Sequence, residues 1–228
     1  MPEKNDIKTC LAHVIMIVLL LLTVVDANAK NGYCRCYEDF INGQWEPLDT
    51  VFCKKNGQGR KLWFGSNDYS LTTGNKVLDK RLKAEAFVIM MNDTLYINCR
   101  RVQHDKIYFR NGYARAWLIG KHSLLFINEV IGKEAQLNQS AAPTLSGTAG
   151  NFTYGSNQLR RRVCYVISNE SGGERIESRL VDDALMEQML NGDSELCAWY
   201  YSVEDKSKRM TATHVIPILE KAGLFTEE

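Results

Sequence analysis

Residues 86–102 read AFVIMMNDTLYINCRRV, and this stretch decides the fold. Its two β-rich runs are separated by Asn92-Asp93, residue types that tolerate the positive φ of a tight hairpin turn. Apolar and polar side chains alternate along the second run, with Leu95, Ile97 and Cys99 on one face and Tyr96, Asn98 and Arg100 on the other. The stretch therefore predicts an antiparallel hairpin whose second strand is buried on one side only.

A second hairpin is predicted directly downstream. Residues 113–119 and 124–130 are rich in apolar and β-prone side chains, and they flank the turn sequence Gly120-Lys121-His122-Ser123. Two hairpins in succession indicate an antiparallel meander and argue against the βαβ crossovers of a dinucleotide-binding fold. Shorter strands are predicted elsewhere, at 50–54, 60–64 and 163–168.

Helices are predicted at both ends of the mature chain. A short helical turn is expected at 33–40, stopped by Asn42-Gly43, and three longer helices at 182–190, 194–203 and 207–222. Asp182 is the expected cap of the first of these three, Asn191-Gly192 its stop, and Pro217 is expected to kink or split the last. Strands first and helices last predict an α+β fold, an antiparallel β-sheet or meander that could curve into a partial barrel, with C-terminal helices packed on it.

The first 29 residues have the three parts of a secretory signal peptide. Lys4 and Lys8 supply positive charge, residues 11–25 are a 15-residue apolar segment, and Ala27-Asn28-Ala29 is a small-x-small cleavage site. A helix of 15 residues rises only about 22 Å, short of the roughly 30 Å hydrocarbon core of a bilayer. Cleavage is therefore favoured over a permanent inner-membrane anchor.

Cleavage after Ala29 would leave a mature protein that begins at Lys30. We divide it into a β-rich region (30–132), a loop or linker of small residues (133–160) and a strand with helices (161–228), the first and last forming one domain. No other segment has the length of a membrane span, so no transmembrane segment is expected after cleavage. The only cysteine near the apolar segment, Cys10, precedes it, which argues against a lipoprotein anchor.

Composition and charge indicate an ordinary globular protein. The chain is 45% hydrophobic and 24% charged, and the mature part carries 26 basic and 24 acidic residues. A net charge of +2 argues against a nucleic-acid partner, because such binding rests on a basic surface.

Six cysteines remain after cleavage, an even number that permits three disulfides in an oxidising compartment. Fifteen pairings are possible, and a disulfide or redox role is open to Cys34, Cys36, Cys53, Cys99, Cys164 and Cys197. Cys99 and Cys164 fall on apolar faces of predicted strands, which favours small buried hydrophobes. Cys34-x-Cys36 lacks the second Cys or His pair that a metal site needs.

No catalytic signature accompanies these cysteines. The mature chain has three histidines, His104, His122 and His214, and none lies in a nucleophile or metalloprotease motif. We predict no catalytic, cofactor-binding or metal-binding residues. The enzyme question stays open, but a non-catalytic protein is favoured over the alternative, a thiol- or histidine-dependent envelope enzyme.

Two basic segments have competing interpretations. Gly57-Gln58-Gly59-Arg60-Lys61 lacks P-loop spacing, which favours a plain β-turn over a phosphate cradle. Arg160-Arg161-Arg162 is interpreted as a solvated strand entrance. Contact with anionic lipid headgroups or an acidic partner is the alternative.

Four segments together resemble exported proteins of Bacteroidales that belong to a family of unknown function. They are YEDFING (37–43), MNDTLYIN (91–98), NGYARA (111–116) and the strand-plus-helices tail from Arg162. The resemblance implies a Gram-negative envelope setting and supplies no catalytic residues.

We therefore expect an exported protein of the periplasm or cell surface that binds an unknown envelope protein or ligand, or has a structural role there. Four Asn-x-Ser/Thr sequons, at Asn92, Asn138, Asn151 and Asn169, leave a glycosylated eukaryotic secreted protein as a third alternative.

Overall fold

The computed structural model describes residues 31–64, 66–133, 161–168 and 176–225. The strands in chain order are β1 (Asn31–Cys34), β2 (Glu46–Pro47), β3 (Phe52–Lys55), β4 (Tyr69–Thr72), β5 (Val88–Met91), β6 (Thr94–Asn98), β7 (Val102–His104), β8 (Ile107–Tyr108), β9 (Tyr113–Ile119), β10 (Ser123–Glu129), β11 (Arg162–Ile167), β12 (Ile176–Glu177) and β13 (Arg179–Leu180). The helices are α1 (Tyr37–Ile41), α2 (Gln58–Phe64), α3 (Lys76–Glu85), α4 (Asp183–Leu190), α5 (Ser194–Tyr201), α6 (Lys206–Arg209) and α7 (Ala212–Lys221), and a 3₁₀ turn covers Cys99–Arg101.

Both predicted hairpins are confirmed. β5 pairs with β6, and the turn residues Asn92 and Asp93 adopt φ values of 47° and 60°. β9 pairs with β10 across a turn in which Gly120 has a φ of 57°. The two hairpins lie side by side because β6 also pairs with β9, so four strands form one antiparallel row.

That row is the middle of a larger sheet in the order β13-β11-β10-β9-β6-β5-β1-β2, in which every pairing is antiparallel. The β3–β4 hairpin attaches to it through one pair of residues, Tyr69 and Tyr113. Within the described ranges no pairing joins β13 to β2, so the row is open at both ends. A separate small sheet has the order β12-β7-β8. The α+β fold predicted from the sequence is thus confirmed.

Both faces of the large sheet are covered. One face carries a core of aromatic and aliphatic side chains in which Phe109, Phe126 and Tyr165 contact one another edge-on or stacked. The other face packs against the C-terminal helices over β10 and β11, and against α3 and the β3–β4 hairpin over β5 and β6. The prediction of a half-buried β6 is therefore wrong: Tyr96 and Asn98 are only 7% and 2% exposed, because α3 and β4 cover them.

Tertiary pairing overrides two local predictions near the N-terminus. The expected helical turn at 33–40 begins only at Tyr37, because residues 31–34 form a strand against β5. The strand expected at 60–64 is wrong, since 58–64 is helix α2 and the partner of β3 is β4. Arg60, Lys61 and Leu62 have high helix propensity and none is β-branched, which explains the helix.

The C-terminal helices follow the sequence signals closely. The Asp182 side chain accepts a hydrogen bond from the Leu185 amide at the start of α4, and Asn191 ends the helix in a left-handed conformation. α5 forms as predicted, but the last helical stretch divides at Met210-Thr211 and Pro217 lies within α7. Pro217 removes the bond to the carbonyl of Thr213, and the chain tolerates this because both residues are exposed to water.

Arg209 joins three of these helices. Its Nε and Nη2 donate to the two carboxylate oxygens of Asp183 in α4, at 3.1 and 2.8 Å. Its Nη1 donates to the carbonyls of Val203 and Glu204, which precede α6, and the guanidinium lies over the ring of Tyr200 in α5. Hydrogen bonds from Arg209 are the main cause that lowers the pKa of Asp183 below its usual value.

We expect Asp183→Asn to lower the free energy of unfolding by about 2 kcal/mol at pH 7, because the two hydrogen bonds from Arg209 lose their charged acceptor. The Asp183 carboxyl has a lower pKa in the folded protein than in the unfolded chain, where it is about 3.9. Its ionised form therefore stabilises the fold above about pH 3.9. This contribution is lost as the pH falls through the pKa of the folded state. The difference between the two proteins in urea titrations should therefore be constant from pH 5 to pH 8 and shrink below about pH 4.

Lys206→Ala is the matched control for this prediction. Its ammonium lies 3.8 Å from the same Asp183 carboxylate but the side chain is 62% exposed, so we expect no measurable change. A difference for Asp183→Asn that persists unchanged at pH 2 would contradict the role given to the ion pair.

Candidate functional site

A cleft of about 950 Å³ opens where the β3–β4 hairpin parts from the large sheet. β4 meets β9 at one residue pair and diverges beyond it, and the gap is bounded by α3, by the 3₁₀ turn and by the start of α2. Four cationic side chains line this cleft, and we call them the cleft cations: Lys54, Arg60, Lys83 and Arg100.

Asn98, the last residue of β6, fixes two walls of the cleft. Its Nδ2 donates to the carbonyls of Lys83 and Ala86 at 3.1 and 2.8 Å, and more distantly to that of Leu82. The carbonyls of Lys83 and Ala86 lie at the end of α3, where a helix supplies no amide partner, whereas the Leu82 carbonyl also accepts from the Ala86 amide. The Asn98 Oδ1 accepts from the amide of Arg100 at 3.3 Å, which holds the 3₁₀ turn. One buried amide therefore positions the backbone of two cleft cations.

The cleft cations form no ion pair with any residue of the described ranges, and all four are exposed. Some other cations of the fold are paired, among them Arg81 with Glu46 and Glu85, and Arg110 with Glu129. The cleft thus carries positive charge that no contact within the described ranges neutralises.

Among the described residues, Asp79 is the one carboxylate that lines the cleft. It accepts hydrogen bonds from the Thr73 amide at 2.6 Å, from the Thr73 hydroxyl at 2.8 Å and from the Thr72 hydroxyl. Burial acts to raise its pKa, but these bonds and the charge of Lys83 outweigh burial and lower it. Asp79 is therefore ionised at neutral pH and already bonded on its own side of the cleft.

Tyr113 also lines the cleft and is 2% exposed. It is the β9 partner of Asn98, so its side chain lies on the sheet face that α3 covers. Burial raises the pKa of Tyr113, and the Asp79 charge raises it further, which places the phenol within electrostatic reach of that carboxylate. Among the described residues no group forms a hydrogen bond with the Tyr113 hydroxyl.

A buried charge cluster supports helix α2, which carries Arg60. Asp68 contacts both Lys61 of α2 and Arg162 of β11 through its two oxygens. Arg110 donates from Nη1 to the Lys61 carbonyl at 3.1 Å and pairs through Nε with the buried Glu129 at 2.7 Å. Burial and the neighbouring Arg162 charge lower the pKa of Lys61 to about 8, which the Glu129 carboxylate opposes.

With this geometry established, comparison with known proteins gives one result. The model of a family of unknown function (DUF6563) matches residues 32–226. The chain belongs to the DUF6563 family. No curated protein and no solved structure matches it. The predicted membership of an uncharacterised family is confirmed, and the Bacteroidales source remains a prediction.

Both basic segments of this DUF6563 protein differ from their predictions. Residues 57–61 lead into α2 and do not form an isolated β-turn. Within the described part of the arginine run, Arg161 donates to the Ser207 carbonyl at 2.9 Å and Arg162 pairs with Asp68. These two arginines hold elements of the fold together. The interpretation of the run as a solvated strand entrance is therefore wrong for them.

The six cysteines of the DUF6563 protein are all free thiols in the structure. Cys99 and Cys164 are fully buried as predicted, and burial raises the pKa of each. Burial also raises the pKa of Cys34 to about 12 and that of Cys36 above its usual value. None of the six lines the cleft, and a disulfide or redox role for Cys34, Cys36, Cys53, Cys99, Cys164 and Cys197 stays a prediction.

The three histidines also lie outside the cleft lining. His104 Nδ1 is 2.8 Å from the Ser178 carbonyl, and His214 Nε2 is 2.9 Å from the Tyr200 carbonyl. His122 lies in the β9–β10 turn, where its own carbonyl accepts from the Tyr37 hydroxyl. His104 and His214 thus have ring contacts typical of structural histidines.

The predicted signal peptide (1–29), its cleavage residues Ala27, Ala29 and Lys30, and the linker at 134–160 lie outside the described residues. Within the described ranges, no helix has the length and hydropathy to cross a membrane. The same ranges contain no group of three or more His, Cys, Asp or Glu side chains arranged to hold a metal ion.

Sequence reasoning missed the cleft because its residues come from separate elements. Lys54, Arg60, Lys83, Arg100 and Tyr113 form no linear motif. One local signal exists: Asp79 and Lys83 are four residues apart on α3 and therefore share a helix face. That spacing is common on solvated helices and indicates no site by itself.

We expect Asn98→Ala to lower the free energy of unfolding by about 3 kcal/mol, because the carbonyls of Lys83 and Ala86 lose their donor and the 3₁₀ turn loses its acceptor. Guanidinium denaturation monitored by circular dichroism measures this. Gln188→Ala, on the exposed face of α4, is the control and should leave stability unchanged. A loss below about 1 kcal/mol for Asn98→Ala would show that water replaces its bonds.

Proposed function

We propose that this DUF6563 protein is exported to the cell envelope and acts there as a non-catalytic binding protein, with the cleft as its binding surface. The periplasm or the cell surface is the compartment that we propose. Residues 1–29 support export because they combine positive charge, an apolar segment and a small-x-small site.

The observation that carries the proposal is the cleft itself. Its volume of about 950 Å³ falls within the range of small-molecule sites in proteins, about 300 to 1,000 Å³. Its walls are the sheet, α3 and α2, which Asn98 and the Asp68 cluster hold in place through bonds to the backbone and to buried charges. A concave surface with fixed walls is suited to binding a ligand with little reorganisation.

The chemistry of the reactive side chains supports binding over catalysis. A thiol nucleophile needs a lowered pKa and a neighbouring base, whereas burial raises the pKa of Cys34 and Cys36. Two of the histidines meet backbone carbonyls through their ring nitrogens and lie away from the cleft lining. No specific observation favours the thiol- or histidine-dependent enzyme.

Binding at the cleft predicts where small molecules perturb the protein. In a fragment screen with equal numbers of acidic, basic and neutral compounds, we expect chemical shift changes at the amides of Lys83, Asn98 and Arg100. Asn111→Trp should reduce these changes, because the exposed Asn111 side chain lines the cleft and forms no hydrogen bond to the described residues. Lys121→Trp, in the exposed β9–β10 turn, is the control.

Fragments that perturb only other surfaces, or equal effects of the two tryptophan variants, would refute the cleft as the binding surface.

The proposed export predicts where the native protein is found in its own cells and at which residue it begins. Fractionation should place it in the envelope, and N-terminal sequencing should begin at Lys30, because cleavage follows Ala29. Ala29→Asp should slow cleavage, since an acidic side chain does not fit the small-residue position. Lys30→Asp introduces the same side chain just after the site and should leave cleavage largely intact. Recovery of the full-length chain in the cytoplasm would refute export.

A further inference from the structure

We infer that the ligand of the cleft is an organic anion that carries hydroxyl groups, with its anionic group bound between the cleft cations and the Tyr113 hydroxyl. The inference rests on the proposed binding function and adds the chemical class of the ligand. The observations that carry it are the unpaired charge of the lining and one hydroxyl that opens into the cleft without a hydrogen-bond partner among the described residues.

The charge of the lining selects an anion. Lys54 and Arg60 stand on the hairpin side, and Lys83 and Arg100 on the side of α3 and the 3₁₀ turn. The described residues supply no ion pair to any of the four, although this fold pairs the arginines at 81, 110, 162 and 209 with carboxylates. A concave surface lined by one sign of charge concentrates ligands of the opposite sign.

Tyr113 supplies the second, independent observation. The side chain is largely buried, but its hydroxyl stays open to the cleft, so a hydroxyl without a hydrogen-bond partner in the described protein is available there to a ligand. Within the described ranges the Tyr113 hydroxyl has none, and it lies at the inner wall of the cleft beside Asn98. A ligand oxygen that enters the cleft would accept its hydrogen.

Asp79 does not cancel this preference. Its oxygens accept three hydrogen bonds from Thr72 and Thr73, so they face their own loop as well as the cleft. Lys83, four residues later on the same helix face, offsets its charge. Lys54, Arg60 and Arg100 then attract a ligand without opposition from a further carboxylate among the described lining residues.

The neutral part of the lining indicates hydroxyl groups on the ligand. The Asn111 side chain has no hydrogen bond to the described residues, so its amide offers two donors and an acceptor. The Ser70 hydroxyl donates to Asn56 and keeps lone pairs that accept. Groups that both donate and accept match hydroxyls, and the size of the cleft exceeds the needs of a single inorganic ion.

The test uses four probes with one scaffold. Glucose 6-phosphate, glucose 6-sulfate and glucuronate carry different anions on the same sugar, and glucose carries none. We expect at least one anionic probe to bind at least about tenfold more tightly than glucose in NMR titrations at low salt, and its affinity to fall as salt is added. The ranking of the three anions distinguishes phosphate, sulfate and carboxylate ligands, with inorganic phosphate as the scaffold-free control.

Two variants place the bound anion. Tyr113→Phe removes only the hydroxyl, and we expect about tenfold weaker binding of the anionic probe, because a hydrogen bond to a charged group is lost. Its melting temperature should not fall, since no partner in the described protein is left unsatisfied. Lys83→Glu should weaken binding by tenfold or more, whereas Lys80→Glu, an exposed lysine on the same helix outside the cleft lining, should change it less than twofold.

The outcomes separate this inference from the proposed function. Equal binding of glucose and the anions, or anion binding that neither Tyr113→Phe nor Lys83→Glu weakens, would overturn the anion class. Fragments that perturb the cleft while no anionic probe binds would leave the binding function standing and overturn the inference alone. A cleft that neither fragments nor probes perturb would overturn both.

Discussion

The side-chain amide of Asn98 is the point at which several parts of this fold meet. Its Nδ2 donates to carbonyls at the end of α3, and its Oδ1 accepts from the amide of Arg100 in the 3₁₀ turn. Its backbone amide donates to the Phe87 carbonyl at the start of the central hairpin. Buried amides must satisfy their polar atoms, so this residue allows little freedom in how α3 lies on the sheet. The cleft is the space between α3, which Asn98 holds on the sheet, and the β3–β4 hairpin, which other contacts hold in place.

The β3–β4 hairpin is held by a different kind of contact. It packs Leu71 and Tyr69 against Tyr96 and Tyr113, and its outer end is fixed by Asp68 between two cations. Charges that are largely withdrawn from water persist only when they are paired. Three ion pairs form around α2: Lys61 with Asp68, Arg162 with Asp68, and Arg110 with Glu129. Arginines that the sequence suggested for an anionic partner are thus part of the scaffold, whereas the cleft cations are left to solvent.

The central hairpins were predictable because their information is local. Asn92 and Asp93 tolerate a positive φ, Gly120 adopts one at no steric cost, and the alternating runs on either side set the register. The helix caps were equally local. Asp182 bonds the amide of Leu185, three residues later, and Asn191 ends the helix through its own left-handed conformation. Elements whose state depends on distant partners were mispredicted, as with residues 31–34, which are a strand because β5 lies beside them.

The sequence alone determined the compartment hypothesis, the α+β class, both central hairpins and the C-terminal helices, since signal peptides, turns and caps act over a few residues. Only the tertiary structure decided that both faces of β6 are buried and which arginines are structural. It also decided that Lys54, Arg60, Lys83, Arg100 and Tyr113 share one cleft. The physical reason is that burial and ion pairing depend on which elements pack together, and residues as far apart as Asp68 and Arg162 meet only in the folded chain.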